Sequence, residues 1–335
     1  MAQRIECECV WSEAQWAALE SRTRNKAISS HGSGAAWRVI TREARTVLQT
    51  YSSSFFAVTR FLPPAKRAQV EAIYAAVRYP DEVVDTFPVS PAAKALRLRE
   101  WRDAFERGLR VESIQSALEA GVPCFLAAFA HVVRETRIPA EYYRAFMDAM
   151  ERDIHPRPFK TQDDLVDSYV YGSAVVVGYF LTHVYGASSP TQFDRALTAA
   201  RDLGIALQLT NFVRDVADDE RRGRQYLPLD LLRAEGLSKV STADASQHAA
   251  LSRVVRKVGA IARDHYQRAL ANVDAFSADS RTAIQACIDV YGQLNDRICA
   301  SAKGVTHRES VPMSQKFRVL PASKYWRLPL AYLGW

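Results

Sequence analysis

Two acid pairs carry the chemistry open to this chain. Asp81 and Asp85 in the run DEVVD, and Asp215 and Asp219 in RDVADD, each lie four residues apart, a spacing that stacks two side chains on one helix face. Converging carboxylates suit a hard divalent cation. Magnesium takes one or two of them, keeps several waters, and accepts phosphate oxygens from a substrate instead of a closed protein cage. Two such ledges facing one another suit a diphosphate ester.

Spacing is not the argument by itself, because Asp163 and Asp167 repeat it. That third pair follows Thr161 and reads as an ordinary helix start, with a hydroxyl cap and acids at the positive end of the dipole. Neighbours separate the other two. Gln208, Asn211, Asp215 and Asp219 follow at +3, +4 and +4 inside the apolar run ALQLTNFV, so two amides and two carboxylates share one stripe. Such a stripe needs either a buried polar network or a ligand. Arg214 and Asp218, also four apart, fit a helix salt bridge.

Arg222-Gly223-Arg224-Gln225-Tyr226 leaves this ledge with guanidinium groups that suit phosphate oxygens. Arg78 stands one turn before Asp81. Upstream, Ser52-Ser53-Ser54-Phe55 offers hydroxyls that either donate to phosphate or cap a helix.

These residues must be positioned by helices. With 48% hydrophobic and 24% charged residues, the 335-residue chain is long enough and apolar enough to bury a large core. Ala-, Leu-, Arg- and Val-rich stretches run between sparse breaks at Pro63-Pro64, Pro88 to Pro91, Pro139, Pro156, Pro158 and Pro190, which predicts an all-α protein of helical hairpins. Leu251, Val254, Val255, Val258, Ile261, Ala262, Leu270 and Val273 form the clearest amphipathic stripe, with a solvated basic face of Arg253, Arg256, Lys257, Arg263 and Arg268. Residues 1–36 read as a flexible extension ending in SSHGSG, 37–318 as the catalytic domain, and 319–335 as an aromatic tail.

Several classes are excluded. The net charge of +7 is spread along the chain without zinc-finger or RNP-type motifs, so a nucleic-acid partner is not expected. Five scattered cysteines make no disulfide framework and fit a reducing cytoplasm. Cys7-x-Cys9 has no second pair at ligand spacing. The N-terminus does not resemble a signal peptide, and Val175 to Leu181 is too short to span a bilayer, so it reads as a buried helix.

At this point the chain resembles a family. YAAVRYPDEVVD (74–85) looks like the first aspartate-rich motif of the squalene and phytoene synthases, and LQLTNFVRDVADDERRGRQYLP (207–228) like their second. SSSFFAVTRFLP (52–63) resembles their early flap motif, and YVYGSAVVVG (169–178) the helix lining their cavity. Tyr291 and Arg308 resemble their late site pair. The likeness implies an isoprenoid-synthase fold, a single helical domain around a central cavity, in a cytoplasmic protein that is soluble or peripheral at a membrane.

It also implies Mg²⁺, with Mn²⁺ as a substitute, held by Asp81, Asp85, Asn211, Asp215 and Asp219. Arg78, Tyr169 and Arg308 would act in catalysis with the acids. Ser52, Ser54, Arg214, Arg224 and Tyr226 would hold prenyl diphosphate, and Phe55, Tyr74, Gln208 and Tyr291 would shape its pocket. The implied reaction is head-to-head condensation of two geranylgeranyl diphosphates to phytoene in carotenoid biosynthesis. Alternatives are squalene or dehydrosqualene synthesis from farnesyl diphosphate, with NADPH required for squalene, or a non-catalytic assembly role. Departures from the family pattern are Tyr51 and Ser53 in place of His and Lys, Glu82 in place of Asp, Pro80 before the first acid, and Val175 in place of Gly, which should narrow the cavity locally.

Overall fold

Serine, threonine and proline punctuate the chain where the helices begin. The computed structural model describes residues 11–332, and the Cys7 and Cys9 pair lies outside them. Ser12 opens α1 (Glu13–Ile28) with a full capping box: its Oγ accepts from the Gln15 amide while Gln15 Oε1 accepts from its own. α2 (Ser33–Tyr51) runs into α3 (Ser53–Thr59), α4 (Pro64–Asp85) and α5 (Pro91–Leu109). Proline occupies the first turn of the last two, where its missing N–H is no loss. α6 (Ile114–Glu119), α7 (Cys124–Thr136) and α8 (Ala140–Arg152) complete a first compact unit, Met1–Ile154.

The second unit, His155–Trp335, opens on the Pro156 and Pro158 break. It contains α9 (Gln162–Leu165), a π-helical segment Val166–Val175, α10 (Val176–Tyr185), α11 (Phe193–Arg214), α12 (Val216–Arg221), α13 (Leu229–Ala234), α14 (His248–Ala271), α15 (Ala278–Ala300), α16 (Met313–Val319) and α17 (Lys324–Tyr332). The helices thus divide into two compact units. Among the described residues there is no strand, only the isolated bridge Ala187 to Phe276.

The expected flexibility of residues 1–36 does not extend to α1. Trp16, Leu19, Thr23 and Ala27 lie on one face and are buried, with Trp16 only 2% exposed. Glu13 pairs with Arg97 of α5, and Glu20 accepts from the Cys124 amide at 2.5 Å at the start of α7. α1 is therefore a fixed part of the first unit.

In that unit α4 runs against α2, α7 and α8. Its interior proline, Pro80, cannot supply the N–H that the Ala76 carbonyl would otherwise receive. The Tyr143 hydroxyl of α8 donates to that carbonyl at 2.8 Å, and itself accepts from Trp101 Nε1 at 2.8 Å. All three residues are buried. A long-range hydroxyl thus replaces a local helix bond one turn before Asp81.

In the second unit α11 packs on the π segment, α10 and α14. Two glycines permit the close approach: a Cβ on Gly178 would lie 2.9 Å from the Ala200 carbonyl oxygen, and one on Gly204 would lie 3.1 Å from the Ala174 carbonyl oxygen. Val175 is fully buried, its Cα 3.1 Å from the place of a Gly204 Cβ. Gln162–Tyr185 together is long and apolar enough to cross a membrane by length and composition, a property that a core helix packed in this way shares.

α14 buries Leu251, Val254, Val255, Val258 and Ala262 as its periodicity predicts. Full burial of each Leu or Val contributes about 1.5–3 kcal/mol. The seam then continues through Tyr266 and Ala269, while Leu270 turns outward at 39% exposure. Its basic face is solvated and paired: Arg253 and Lys257 with Glu235, Arg263 with Asp296.

Candidate active site

Each unit carries one of the acid pairs. In the first, Tyr74, Arg78, Asp81 and Asp85 follow at +4, +3 and +4 along α4, so they share a face that ends at the helix C-terminus. Arg78 Nη1 donates to Asp81 Oδ2 at 2.6 Å, and its Nη2 pairs with Glu82. The guanidinium lies over the Tyr51 ring, 4.3 Å from its centroid. Glu82 is 0% exposed, and burial pushes its carboxyl up to about 7 against the pull of Arg78. The acid that departs from the family pattern is therefore a buried anchor for Arg78.

The serine run performs the structural task that sequence reasoning allowed it. Ser52 caps α3, its Oγ accepting from the Phe55 amide at 3.3 Å, which leaves the hydroxyl proton available to a ligand. Phe55 and Tyr74 bring their rings to 6.0 Å. Ser54 is half-buried beside them in sequence.

In the second unit the stripe forms, with one refinement. The helix is interrupted at Asp215, which has φ −105° and ψ 17° and stands between α11 and α12. The Asp215 amide still donates to the Asn211 carbonyl at 2.9 Å and the Asp219 amide to the Asp215 carbonyl at 2.8 Å. Gln208, Asn211, Asp215 and Asp219 consequently keep their common face. Gln208 and Asn211 are half-buried, and their side chains make no hydrogen bond among the described residues.

Arginines gather on Asp215. Arg214 forks onto it through Nε at 2.8 Å and Nη2 at 2.5 Å, and Arg308, 93 residues onward, donates from Nε at 2.8 Å. Burial pushes this carboxyl up, but the two guanidinium groups outweigh it and hold its pKa below the usual range. Arg308 also lies 3.9 Å from Asp218, which Arg221 pairs. The Arg214 to Asp218 salt bridge that the spacing suggests does not form: Arg214 serves the adjacent Asp215, and Asp218 pairs with Arg221.

The run RGRQYLP stops α12 by a paired-bond turn. The Arg224 amide donates to the Asp219 carbonyl at 2.8 Å and the Gly223 amide to that of Glu220 at 2.9 Å, an arrangement that needs the left-handed residue Gly223, φ +73°. The turn folds the buried Arg224 back beside the buried Asp219. Tyr226 then stacks on Phe212 at 4.2 Å and on Tyr169 at 5.1 Å, with the two tyrosine hydroxyls 3.2 Å apart. Tyr169 lies in the π-helical segment, a geometry that recurs at functional sites. Tyr291 is half-buried on α15.

Sequence reasoning missed Phe159 and Phe212, which extend this aromatic wall, and the Tyr143 and Trp16 supports in the first unit. Periodicity marks Phe212 and Trp16 as buried, but it does not say against what. The dismissed pair, Asp163 and Asp167, lies where predicted: Thr161 Oγ1 accepts from the Asp164 amide and Asp163 is in the first turn of α9.

Comparison with known proteins places this arrangement. Residues 48–316 match the family described as squalene/phytoene synthase. The chain is 30% identical over 280 residues to 15-cis-phytoene synthase of Enterobacter agglomerans, covering 82% of this chain and 92% of that one. It is 31% identical over 276 residues to a phytoene synthase of Rhodobacter capsulatus, covering 81% and 77%. Among solved structures it resembles a dehydrosqualene synthase, with a TM-score of 0.70 at 20% identity over 89% of this chain and 98% of the other. A squalene synthase from Alicyclobacillus acidocaldarius gives 0.63 at 18% identity over 81% and 97%. These likenesses carry the isoprenoid-synthase fold, and the match over most of the chain settles the family: the protein belongs to the squalene/phytoene synthases, head-to-head prenyl transferases that bind prenyl diphosphates.

Proposed function

We propose that this protein joins two geranylgeranyl diphosphates head to head to give phytoene, with Mg²⁺ at its acid pairs. The observation that carries the reading is the stripe Gln208, Asn211, Asp215 and Asp219, whose two amides have no protein partner among the described residues while arginines crowd its first acid. The C20 substrate and a carotenoid role draw support from the names of the relatives, which are phytoene synthases.

The donor set fits magnesium. Among the described residues no group of three or more His, Cys, Asp or Glu could hold a metal ion, so neither pair is a closed protein cage. Paired carboxylates with room for phosphate oxygens are what this ion accepts. Asp81 and Asp85 in one unit, and Asn211, Asp215 and Asp219 in the other, would hold it. When bound, the metal neutralises the departing diphosphate.

The remaining work falls to the chain's own groups. Arg224 and Arg308 supply positive charge to phosphate oxygens as the C–O bond of the donor breaks. The allylic cation so formed is attacked by the double bond of the second substrate. Loss of one proton closes the cyclopropane of a cyclopropylcarbinyl diphosphate, and a second ionisation, rearrangement and proton loss yield the hydrocarbon. Phe159, Tyr169, Phe212 and Tyr226 form a wall whose ring faces stabilise positive charge and exclude water from it.

The test is incubation of the purified protein with Mg²⁺ and either geranylgeranyl or farnesyl diphosphate, with and without NADPH, followed by hydrocarbon analysis. A C40 hydrocarbon with a central conjugated triene, formed from the C20 substrate without NADPH, is expected. Squalene formed only with NADPH overturns the substrate assignment, and no product with either overturns the catalytic one.

A further inference from the structure

The match to the family begins at residue 48, so α1 lies outside it. Yet α1 reaches the first acid pair. Trp16 Nε1 donates to Tyr51 Oη at 2.9 Å and the Trp11 amide donates to the same oxygen at 3.1 Å. The Trp16 ring stacks on Tyr51 at 5.9 Å and meets Tyr79 of α4 edge-on at 5.7 Å. Tyr51 is the last residue of α2 and would otherwise be free to swing about its χ1 bond at that helix end. Trp16 of α1 and Trp11, just before its cap, fix this hydroxyl, and the ring carries the Arg78 guanidinium at 4.3 Å.

We infer that α1, acting through Trp16 and Tyr51, is a positioning element for Arg78 and so sets how readily the Asp81 ledge accepts a cation. The inference rests on the metal-dependent reading above. Arg78 hydrogen-bonds Asp81, pairs with Glu82 and lies over the Tyr51 ring, with Tyr74 and Asp85 also close enough to act on its charge. Held over the ring and anchored to buried Glu82, it donates to Asp81 Oδ2 while that carboxylate keeps about a third of its surface exposed. Released from the ring, the guanidinium can close fully on Asp81 and compete with a divalent cation for the same oxygens. α1 has fastenings independent of this contact, Glu13 to Arg97 and Glu20 to Cys124, so the tether can be cut without removing the helix.

The experiment uses the full chain and its Trp16→Phe, Tyr51→Phe and doubly substituted variants, with Glu13→Gln as control. Isothermal titration with geranylgeranyl thiodiphosphate across a Mg²⁺ series reads binding, and steady-state turnover over the same series reads kcat. Loss of one hydrogen bond of ordinary strength predicts a roughly 5-fold rise in the half-saturating Mg²⁺ concentration in Trp16→Phe, and Tyr51→Phe, which loses the Trp11 bond as well, should show at least that rise. kcat at saturating Mg²⁺ should be retained. The double variant should be no worse than Tyr51→Phe alone, because that substitution already removes the bond that Trp16→Phe cuts, and Glu13→Gln should keep the parent value. A lower thermal midpoint with unchanged Mg²⁺ dependence overturns the inference and makes the contact merely structural. An equal shift in Glu13→Gln also overturns it. Absence of Mg²⁺-dependent binding in the unsubstituted chain overturns both this inference and the reading beneath it, whereas intact binding there with no change in the variants removes the inference alone.

Discussion

Tyr143→Phe isolates the hydroxyl that compensates for Pro80. The substitution keeps the ring, which packs against Phe105 at 4.5 Å and Phe129 at 4.8 Å, and deletes one oxygen. That oxygen donates to the Ala76 carbonyl and accepts from Trp101 Nε1, both at 2.8 Å and both buried. One acceptor and one donor are left without partners, each costing about 1–3 kcal/mol, so the variant should lose about 3 kcal/mol. For a unit of this size that corresponds to a drop of roughly 6–12 °C in thermal midpoint. The decisive measurement is a cycle with Pro80→Ala. An alanine at 80 restores the N–H that Ala76 lacks, so Tyr143→Phe should cost about 1–2 kcal/mol less in that background. Chemical denaturation of the four proteins supplies the numbers. Additivity of the two substitutions to within about 0.5 kcal/mol would refute the reasoning, since it would mean that the hydroxyl does not stand in for the missing helix bond.

Asp81→Ala or Asp219→Ala should abolish turnover while circular dichroism stays unchanged; near-normal product formation by either would sink the assignment of the acid pairs. Gly178→Ala should destabilise the second unit by about 1–3 kcal/mol, because the new methyl lies 2.9 Å from the Ala200 carbonyl oxygen, and an unaltered thermal midpoint would contradict that packing. Asp202 is buried, which pushes its pKa up, but hydrogen bonds from His265 and Arg268 pull it below the usual value. A depressed carboxyl lends stability above its unfolded pKa and loses it as pH falls through the folded one. Asp202→Asn should therefore lower stability at pH 7 and flatten the loss on acidification below about pH 4, as read from denaturant midpoints across pH; an unchanged acid limb would remove Asp202 from its cause.

Local rules made much of this protein legible. The α14 seam, the Thr161 cap and the stripe from Gln208 to Asp219 follow from side-chain spacing and cap chemistry, both of which act within a few residues. What spacing does not reveal is whatever depends on partners far along the chain. Arg308 meets Asp215 across 93 residues, Trp16 meets Tyr51 across 35, and Tyr143 meets Ala76 across 67. α1 is a different case. Its signal was present in the capping box of Ser12 and Gln15 and in the apolar positions Trp16, Leu19 and Ala27, but a polar overall composition obscured it. The interruption at Asp215 left no trace in the periodicity, because the i to i−4 bonds run on through it.

Helix polarity separates the acids that spacing confuses. Asp163 sits in the first turn of its helix, where the dipole favours negative charge. Asp81 and Asp85 end α4, where exposed carbonyls already concentrate negative potential, while Asp215 both ends α11 and opens α12, so the two dipoles oppose each other there. Acids placed at a helix C-terminus destabilise their own helices unless positive charge comes from elsewhere. Arg78 supplies it to one ledge and Arg214 with Arg308 to the other. Asp219, in the first turn of the short α12, has the favourable end, but it is buried beside Arg224 and not solvated. A fold that sets acids against the dipole and then recruits distant arginines to offset them retains a demand for cations at those positions. On the proposed function, a metal–diphosphate substrate meets that demand by bringing cation and phosphate together, giving the carboxylates a new partner while the arginines turn to the phosphate oxygens.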